Sequence, residues 1–290
     1  MTLAERLANA RARLTAAGIS SKEAANDAEL LARHALGWDR ARLITSLRDS
    51  APPQLDPAYD ALIARRAARE PSSQIIGIRE FWGLDFEVSP DVLTPRPETE
   101  LIVEEALQQF PDTTSTLRIV DVGTGSGCLA VALAREYPNA QIVATDVSGP
   151  ALEVARRNAA RNGAAERIAF HRVPTGSVTI AEPFRPADLI VSNPPYVRST
   201  AAPGLPPEVR DHEPHVALFG GIEGLDVYEL LLEAGAEAVS PTGRLIVELG
   251  YDQLERVSES SQRHGWRVVS SRNDLQDIPR VLTLAAARSV

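Results

Sequence analysis

Cysteine is almost absent from this chain of 290 residues. The single thiol, Cys128, excludes an internal disulfide framework and any all-cysteine metal site, so no metal is expected. Lysine is as scarce: Lys22 is the only one, which rules out a buried catalytic lysine elsewhere. No apolar run is long enough to span a bilayer, and the first residues lack the basic-then-apolar shape of a signal peptide. A cytoplasmic chain with no membrane partner is expected. Positive charge is also in deficit, with 30 Lys and Arg against 39 acids and a net charge of −9. That is the wrong sign for a protein that lives by phosphate contacts, so no direct nucleic-acid partner is expected. The 18 Gly and 21 Pro follow no period, which excludes a collagen-like chain. What is present, 44% hydrophobic and 24% charged residues, suffices for one large domain or two modest ones.

The first 70 or so residues read as helices. Thr2-Leu3-Ala4-Glu5 is a capping-box pattern, followed by Leu3, Leu7, Ala10 and Leu14 on one helical face. Ser20–Glu23 starts a second helix that ends near Gly37, and a third covers about 40–47. Asp56-Pro57 opens a fourth, with Pro at its first position, which Pro71 stops. Residues 1–70 hold eleven Lys and Arg against nine acids, a net of +2, leaving −11 for the rest. This is either chance variation between two domains or a small domain that touches an RNA-associated partner. Two short β-like runs follow, Gln74–Ile78 and Phe81–Val88, read as a hairpin.

From Leu117 onward, strands and helices alternate. Strands are expected at 118–122, 141–145, 168–170, 188–192, 244–249, 266–269 and 281–285. Helices are expected at 98–109, 128–136, 150–162, 225–239 and 251–264. This is an α/β pattern, a doubly wound, Rossmann-like sheet covered on both faces. The last two strands lack a helix between them, so the sheet should be mostly parallel with one antiparallel strand. The domains expected are a small all-helical N-terminal domain over 1–72, a β-hairpin connector over 73–96 and the sheet domain over 97–290.

Asp121-Val122-Gly123-Thr124-Gly125-Ser126-Gly127 lies between a strand and a helix, where glycines let the backbone turn tightly and approach a ligand. Asp146 stands at the end of the next strand, placed to accept both ribose hydroxyls of a nucleoside. The spacing G-x-G-x-G does not suit a dinucleotide pyrophosphate. It suits a nucleoside with an amino-acid tail, and S-adenosylmethionine is such a cofactor. Its expected contacts are Gly123, Thr124, Gly125, Ser126, Gly127, Asp146 and Asn193. The plainer alternative is that the glycines only make a tight βα turn, with Asp121 holding the loop.

Asn193-Pro194-Pro195-Tyr196 follows the strand 188–192 directly, on the sheet edge where the glycine loop also lies. The two prolines fix φ, remove two donors and leave a stiff arm of acceptors. The Asn193 side-chain oxygen and the Pro194 carbonyl can take both hydrogens of a planar NH₂ and aim its nitrogen at a sulfonium methyl. The pair would also draw off the charge that develops on a nitrogen with a delocalised lone pair. Alignment of that kind lowers a barrier by up to about 7–11 kcal/mol in the best intramolecular cases. Tyr196 offers a flat face for the amide or base. The catalytic candidates are therefore Asn193, Pro194 and Tyr196, with Pro195 completing the substrate contact. Alone, Asn-Pro-Pro is also a common turn after a strand.

Together these residues resemble the HemK/PrmC family, the peptide chain release factor glutamine N5-methyltransferases, over nearly the whole chain. Glu80–Leu84, Leu93-Thr94-Pro95-Arg96-Pro97-Glu98-Thr99-Glu100 and Ile278–Val281 are similar to segments typical of that family. The resemblance implies a class I methyltransferase sheet and an N-terminal domain that helps hold a release factor. It implies methylation of the glutamine in the factor's Gly-Gly-Gln tip; the oligomeric state is open, and a monomer would suit an enzyme that clamps such a tip. Arg96, Pro97 and Glu98 would lie near the mouth of the site, or else form a rigid link into the helix. One departure concerns His171–Gly176, where the family often has an acid and an aromatic near the adenine.

Other readings compete. A ribosomal-protein glutamine or an exocyclic amine of a nucleic acid would suit Asn-Pro-Pro-Tyr equally. The −11 core and the lack of a target-recognition domain oppose the nucleic acid. A non-catalytic cofactor-binding module is the third reading. His212 and His215, interrupted by Pro214, do not form a helical zinc pair. Residues 197–224, rich in Pro and Gly, are expected to form a loop that closes over substrate. Ser126 reads as loop structure rather than a nucleophile, and Cys128 as a small buried residue.

Overall fold

The computed structural model describes residues 1–178, 180 and 184–287. Among these the chain forms two compact units, Met1–Gly77 with Pro206–His212, and Ile78–Leu205 with Glu213–Val290.

In the first unit, α1 (Leu3–Ala16) starts with the capping box: Glu5 N–H donates to Thr2 Oγ1 and Thr2 N–H to Glu5 Oε2. Helix α2 (Ser21–Leu36) is capped by Ser20 and ends at Gly37 with φ +63°. Short α3 (Arg40–Thr45) precedes α4, which spans Leu55–Ala67. The fourth helix thus starts before the expected Pro57, and Asp56 and Asp60 on its first turns both hold Arg6. Leu3, Leu14, Leu31, Leu55, Tyr59 and Ile63 form the core. The stretch expected to open a hairpin is instead α5 (Ser72–Ile76), following Pro71 and closed by Gly77 at φ +80°. Ile75 and Ile76 suit a strand locally, but Ile75 is buried in the helical core.

The second unit opens with the hairpin, moved to β1 (Ile78–Phe81) and β2 (Leu84–Glu87). Its two-residue turn, Trp82-Gly83, has positive φ at both positions, the geometry that matches strand twist. Phe81 and Phe86 meet edge to face at 6.0 Å.

A 3₁₀ turn at Pro97–Thr99 leads into α6 (Glu100–Gln109). Then come β3 (Arg118–Val122), α7 (Cys128–Glu136), β4 (Gln141–Asp146), α8 (Gly149–Arg161), β5 (Ile168–Arg172) and β6 (Ala187–Ser192). After the short helices α9 (Pro207–His212) and α10 (His215–Leu218) follow α11 (Asp226–Ala238), β7 (Val239–Glu248), α12 (Leu254–Arg263), β8 (Trp266–Asn273) and β9 (Pro279–Ala286). The sheet order is β5-β4-β3-β6-β7-β9-β8, parallel except for β9, which runs against both neighbours. This is the mostly parallel sheet with one antiparallel strand expected from the sequence. Apolar clusters line both faces, Leu129, Leu133 and Tyr137 on one, Tyr228, Leu231 and Trp266 on the other.

Val122 pairs with Thr145 on one side and Ser192 on the other. The residues next in the chain after those three, Gly123, Asp146 (the last residue of β4) and Asn193, therefore lie at one sheet edge, beside the point where strand order reverses. No described helix is long and apolar enough to cross a membrane.

Candidate active site

A cavity of about 280 Å³ opens at that edge. Gly123, Thr124, Gly125 and Ser126 form one wall, with φ of +73° at Gly123 and +55° at Gly125. A Cβ at either glycine would meet nothing within 4 Å, so what selects glycine there is the left-handed turn. Gly127, also expected as a contact, does not line the cavity. Its own Cβ would come within 3.1 Å of the Ala155 Cβ, so its role is close packing of the loop on α8.

Asp121 ties the loop from below. Its Oδ2 accepts from the Thr124 hydroxyl at 2.6 Å and the Ala130 amide at 3.2 Å. Its Oδ1 is buried and meets no partner among the described residues. Burial, opposed by those two hydrogen bonds, pushes its carboxyl up to about 7. Asp146 lines the cavity and takes one backbone N–H on each oxygen, Gly125 at 2.9 Å and Ser148 at 2.8 Å. Burial raises it above the usual carboxylate range.

Asn193 and Pro195 also line the cavity, whereas Pro194 and Tyr196 do not. The Asn193 amide donates to Thr99 Oγ1 at 3.0 Å, and Thr99 donates to Glu248 Oε2 at 2.5 Å. Tyr196 turns away to donate to Glu248 Oε1 at 3.1 Å, and its ring packs on the Tyr228 side of the core. It therefore presents no face to the cavity, contrary to the stacking expected of it. Among the described residues, no donor reaches Asn193 Oδ1 or the Pro194 carbonyl. Those are the two acceptors that the sequence singled out.

The chain matches the PrmC N-terminal domain over residues 5–77 and the methyltransferase small domain over 99–203. The release factor glutamine methyltransferase of Cereibacter sphaeroides is 42% identical over 283 residues, covering 98% of each chain. That of Geobacter sulfurreducens is 44% identical over 258 residues, covering 88% of this chain and 87% of its own. The chain belongs to the release factor glutamine methyltransferase family. A crystal structure of a methyltransferase from Pyrococcus furiosus shares the fold, with a TM-score of 0.51 at 22% identity over 78% of this chain and 96% of that one.

Several residues of this family member escaped the sequence reading. Buried Asn158 accepts from Glu87 N–H at 2.6 Å and donates to the Glu87 and Ser126 carbonyls, fixing the glycine loop against the hairpin. Arg96 did not escape it: expected near the mouth of the site, it lines the cavity, and its partner there is the buried carboxylate of Glu213 at 2.5 Å. Gly220 and Gly224 back the motif, where a Cβ would fall 2.3 Å from the Pro195 and Tyr196 oxygens respectively. The expected loop 197–224 is held at both ends: Val197 N–H donates to the Leu218 oxygen, Gly220 N–H to the Val197 oxygen and Ser199 N–H to the Gly221 oxygen. No periodicity marks such residues. The glycine pair at 220–221 was the one visible signal.

The donor set fits S-adenosylmethionine. The orphaned Asp121 oxygen lies beneath the loop that would carry a cationic amino-acid tail, and Asp146 faces the cavity with lone pairs to spare for a diol.

Proposed function

We propose that this chain transfers the methyl group of S-adenosylmethionine to the side-chain amide nitrogen N5 of a release-factor glutamine, the one in the Gly-Gly-Gln motif. The observation that carries this reading is that Asn193, whose Oδ1 takes no donor among the described residues, lines one cavity with the glycine loop and Asp146, with the Pro194 carbonyl next to it in the chain. Gly123–Ser126 and Asp146 would hold the cofactor, and Val173 with Thr175–Val178 line the part of the cavity left for its base. When bound, the cofactor supplies an electrophilic methyl carbon on a sulfonium. Asn193 and Pro194 orient the substrate NH₂ by taking one hydrogen each, and so stabilise positive charge that develops on its nitrogen. The helical unit would hold the release factor.

The test is incubation with methyl-labelled cofactor and unmodified release factor, followed by peptide mapping. One methyl on the tip glutamine of the factor is expected, lost with Asn193→Ala while cofactor binding persists. Label on another side chain, or on nucleic acid instead of protein, overturns the reading.

A further inference from the structure

Thr99 closes the 3₁₀ turn before α6, is 2% exposed, and reaches both Asn193 and Glu248. A hydroxyl carries one proton, and an ionised carboxylate only accepts. With Oγ1 2.5 Å from Glu248 Oε2, that proton is committed to the carboxylate. Toward Asn193, Oγ1 then offers only a lone pair. Asn193 must present its NH₂ there, at 3.0 Å, and its oxygen turns the other way.

The two ends of a carboxamide are nearly alike in shape, so packing alone barely distinguishes them. Turned over, Asn193 would point NH₂ at the NH₂ of a substrate amide, donor against donor. The polarity of this short chain of hydrogen bonds has its source in Glu248. That residue is 1% exposed at the end of β7 and lines no part of the cavity. Its Oε1 accepts from the Tyr196 hydroxyl, so one carboxylate holds the motif at its first and last residues. The Tyr228 hydroxyl fixes the Glu248 backbone oxygen at 2.7 Å.

We propose that Glu248, acting through Thr99, is a positioning residue that sets which end of the Asn193 carboxamide faces the cavity. This rests on the glutamine-methylation reading for its consequence, but not for its geometry. Glu248 lines no part of the cavity, Thr99 lines it beside Asn193, and the role assigned to both is exerted through Asn193.

The experiment uses Thr99→Val, which keeps the shape and removes the hydroxyl, Thr99→Ser, which restores it, and Glu248→Gln, which replaces one acceptor by a donor. Wild-type activity on the release factor is established first. Thr99→Val should lower kcat on the order of 100-fold, the scale of a misaligned reacting group, with KM and cofactor Kd little changed. Thr99→Ser should recover most of that loss, and Glu248→Gln should lower kcat in the same way. A readout independent of activity is hydrogen exchange of the Asn193 side-chain NH₂ in protein labelled with ¹⁵N-asparagine. Protection should be lost in Thr99→Val and retained in Thr99→Ser. Unchanged kcat in folded Thr99→Val and Glu248→Gln overturns the proposal, as does a Thr99→Ser as slow as the valine variant. Unchanged NH₂ protection in Thr99→Val overturns it even if the wild type methylates nothing, an outcome that by itself sinks only the glutamine-methylation reading.

Discussion

Gly220→Ala tests whether the motif arm must stay where the backing loop holds it. Gly220 is not in the left-handed region, so alanine brings no backbone penalty there; the effect is steric. The added Cβ would fall 2.3 Å from the Pro195 oxygen and 3.1 Å from its carbonyl carbon. Against an ordinary contact of 3.4 Å the oxygen falls short by about 1.1 Å, and both neighbours are backbone, which cannot swing aside as a side chain can. The Gly220 N–H is tied to the Val197 oxygen at 3.0 Å, which limits retreat on the loop side. Most of the displacement therefore passes to Pro195 and the adjoining Pro194 and Asn193. A misplacement near 1 Å at a reacting group costs on the order of 100-fold in rate. Overpacking costs stability as well, about 1–3 kcal/mol. The assay is kcat on release factor at saturating cofactor, with cofactor Kd by calorimetry and the unfolding midpoint by differential scanning. The expected result is a large drop in kcat with cofactor Kd nearly unchanged. Gly204→Ala, in the same segment with nothing within 4 Å of its Cβ, is the control and should behave as wild type. A Gly220→Ala protein with wild-type kcat would refute the reasoning, because it would mean that the motif arm tolerates being pushed.

Asp146→Ala removes a carboxylate that holds Gly125 N–H and faces the cavity, and cofactor Kd should weaken at least tenfold, since a hydrogen bond to a charged group contributes about 1.5–3 kcal/mol; unchanged calorimetric affinity would remove Asp146 from the cofactor site. Burial, opposed by Thr99, Tyr196 and Arg280, pushes Glu248 up to about 7, and its other charged or titratable neighbours are Glu98, Tyr228 and Cys128. The folded value lies above the ordinary 4.5, so the folded state holds the extra proton between pH 4.5 and 7. Stability should fall through that window as pH rises, by about 3 kcal/mol from this residue. Asp121 adds a slope of the same sign, so the difference between wild type and Glu248→Gln in urea unfolding is what counts. In kcat the sign reverses: the ionised form accepts from both Thr99 and Tyr196, so the rate should fall below pH about 7, and a flat wild-type profile from 6 to 8 would contradict this. Arg66, 4% exposed, binds Asp27 at 2.6 Å and Glu208 at 2.9 Å, and Arg66→Met should cost about 3–5 kcal/mol by leaving the buried Asp27 carboxylate without its cation, while Glu208 keeps Arg69. An unaltered urea midpoint would show that this network contributes nothing.

The elements read most securely from sequence were those whose cause is local. Thr2 and Glu5 cap a helix because their side chains reach amides three residues away, and the G-x-G-x-G spacing reports left-handed turns wherever it sits. The hairpin was misplaced because Ile75 and Ile76 have strand chemistry, while the core that claims them is built from residues as distant as Leu3 and Leu31. Tyr196 was read as a stacking face because its neighbours in sequence suggested a ligand. Its actual partner is Glu248, 52 residues away.

The chain order of its residues was enough to determine the alternating sheet and the edge at which Gly123, Asp146 and Asn193 gather. Strand periodicity and proline geometry act over a few residues and leave a local trace. Tertiary structure alone decided that Thr99 lies between Asn193 and a carboxylate 149 residues away, and that Glu208 returns to Arg66 from 142 residues off. A buried charge is selected by what surrounds it in space, and one strand-end glutamate looks like any other until the fold takes away its water.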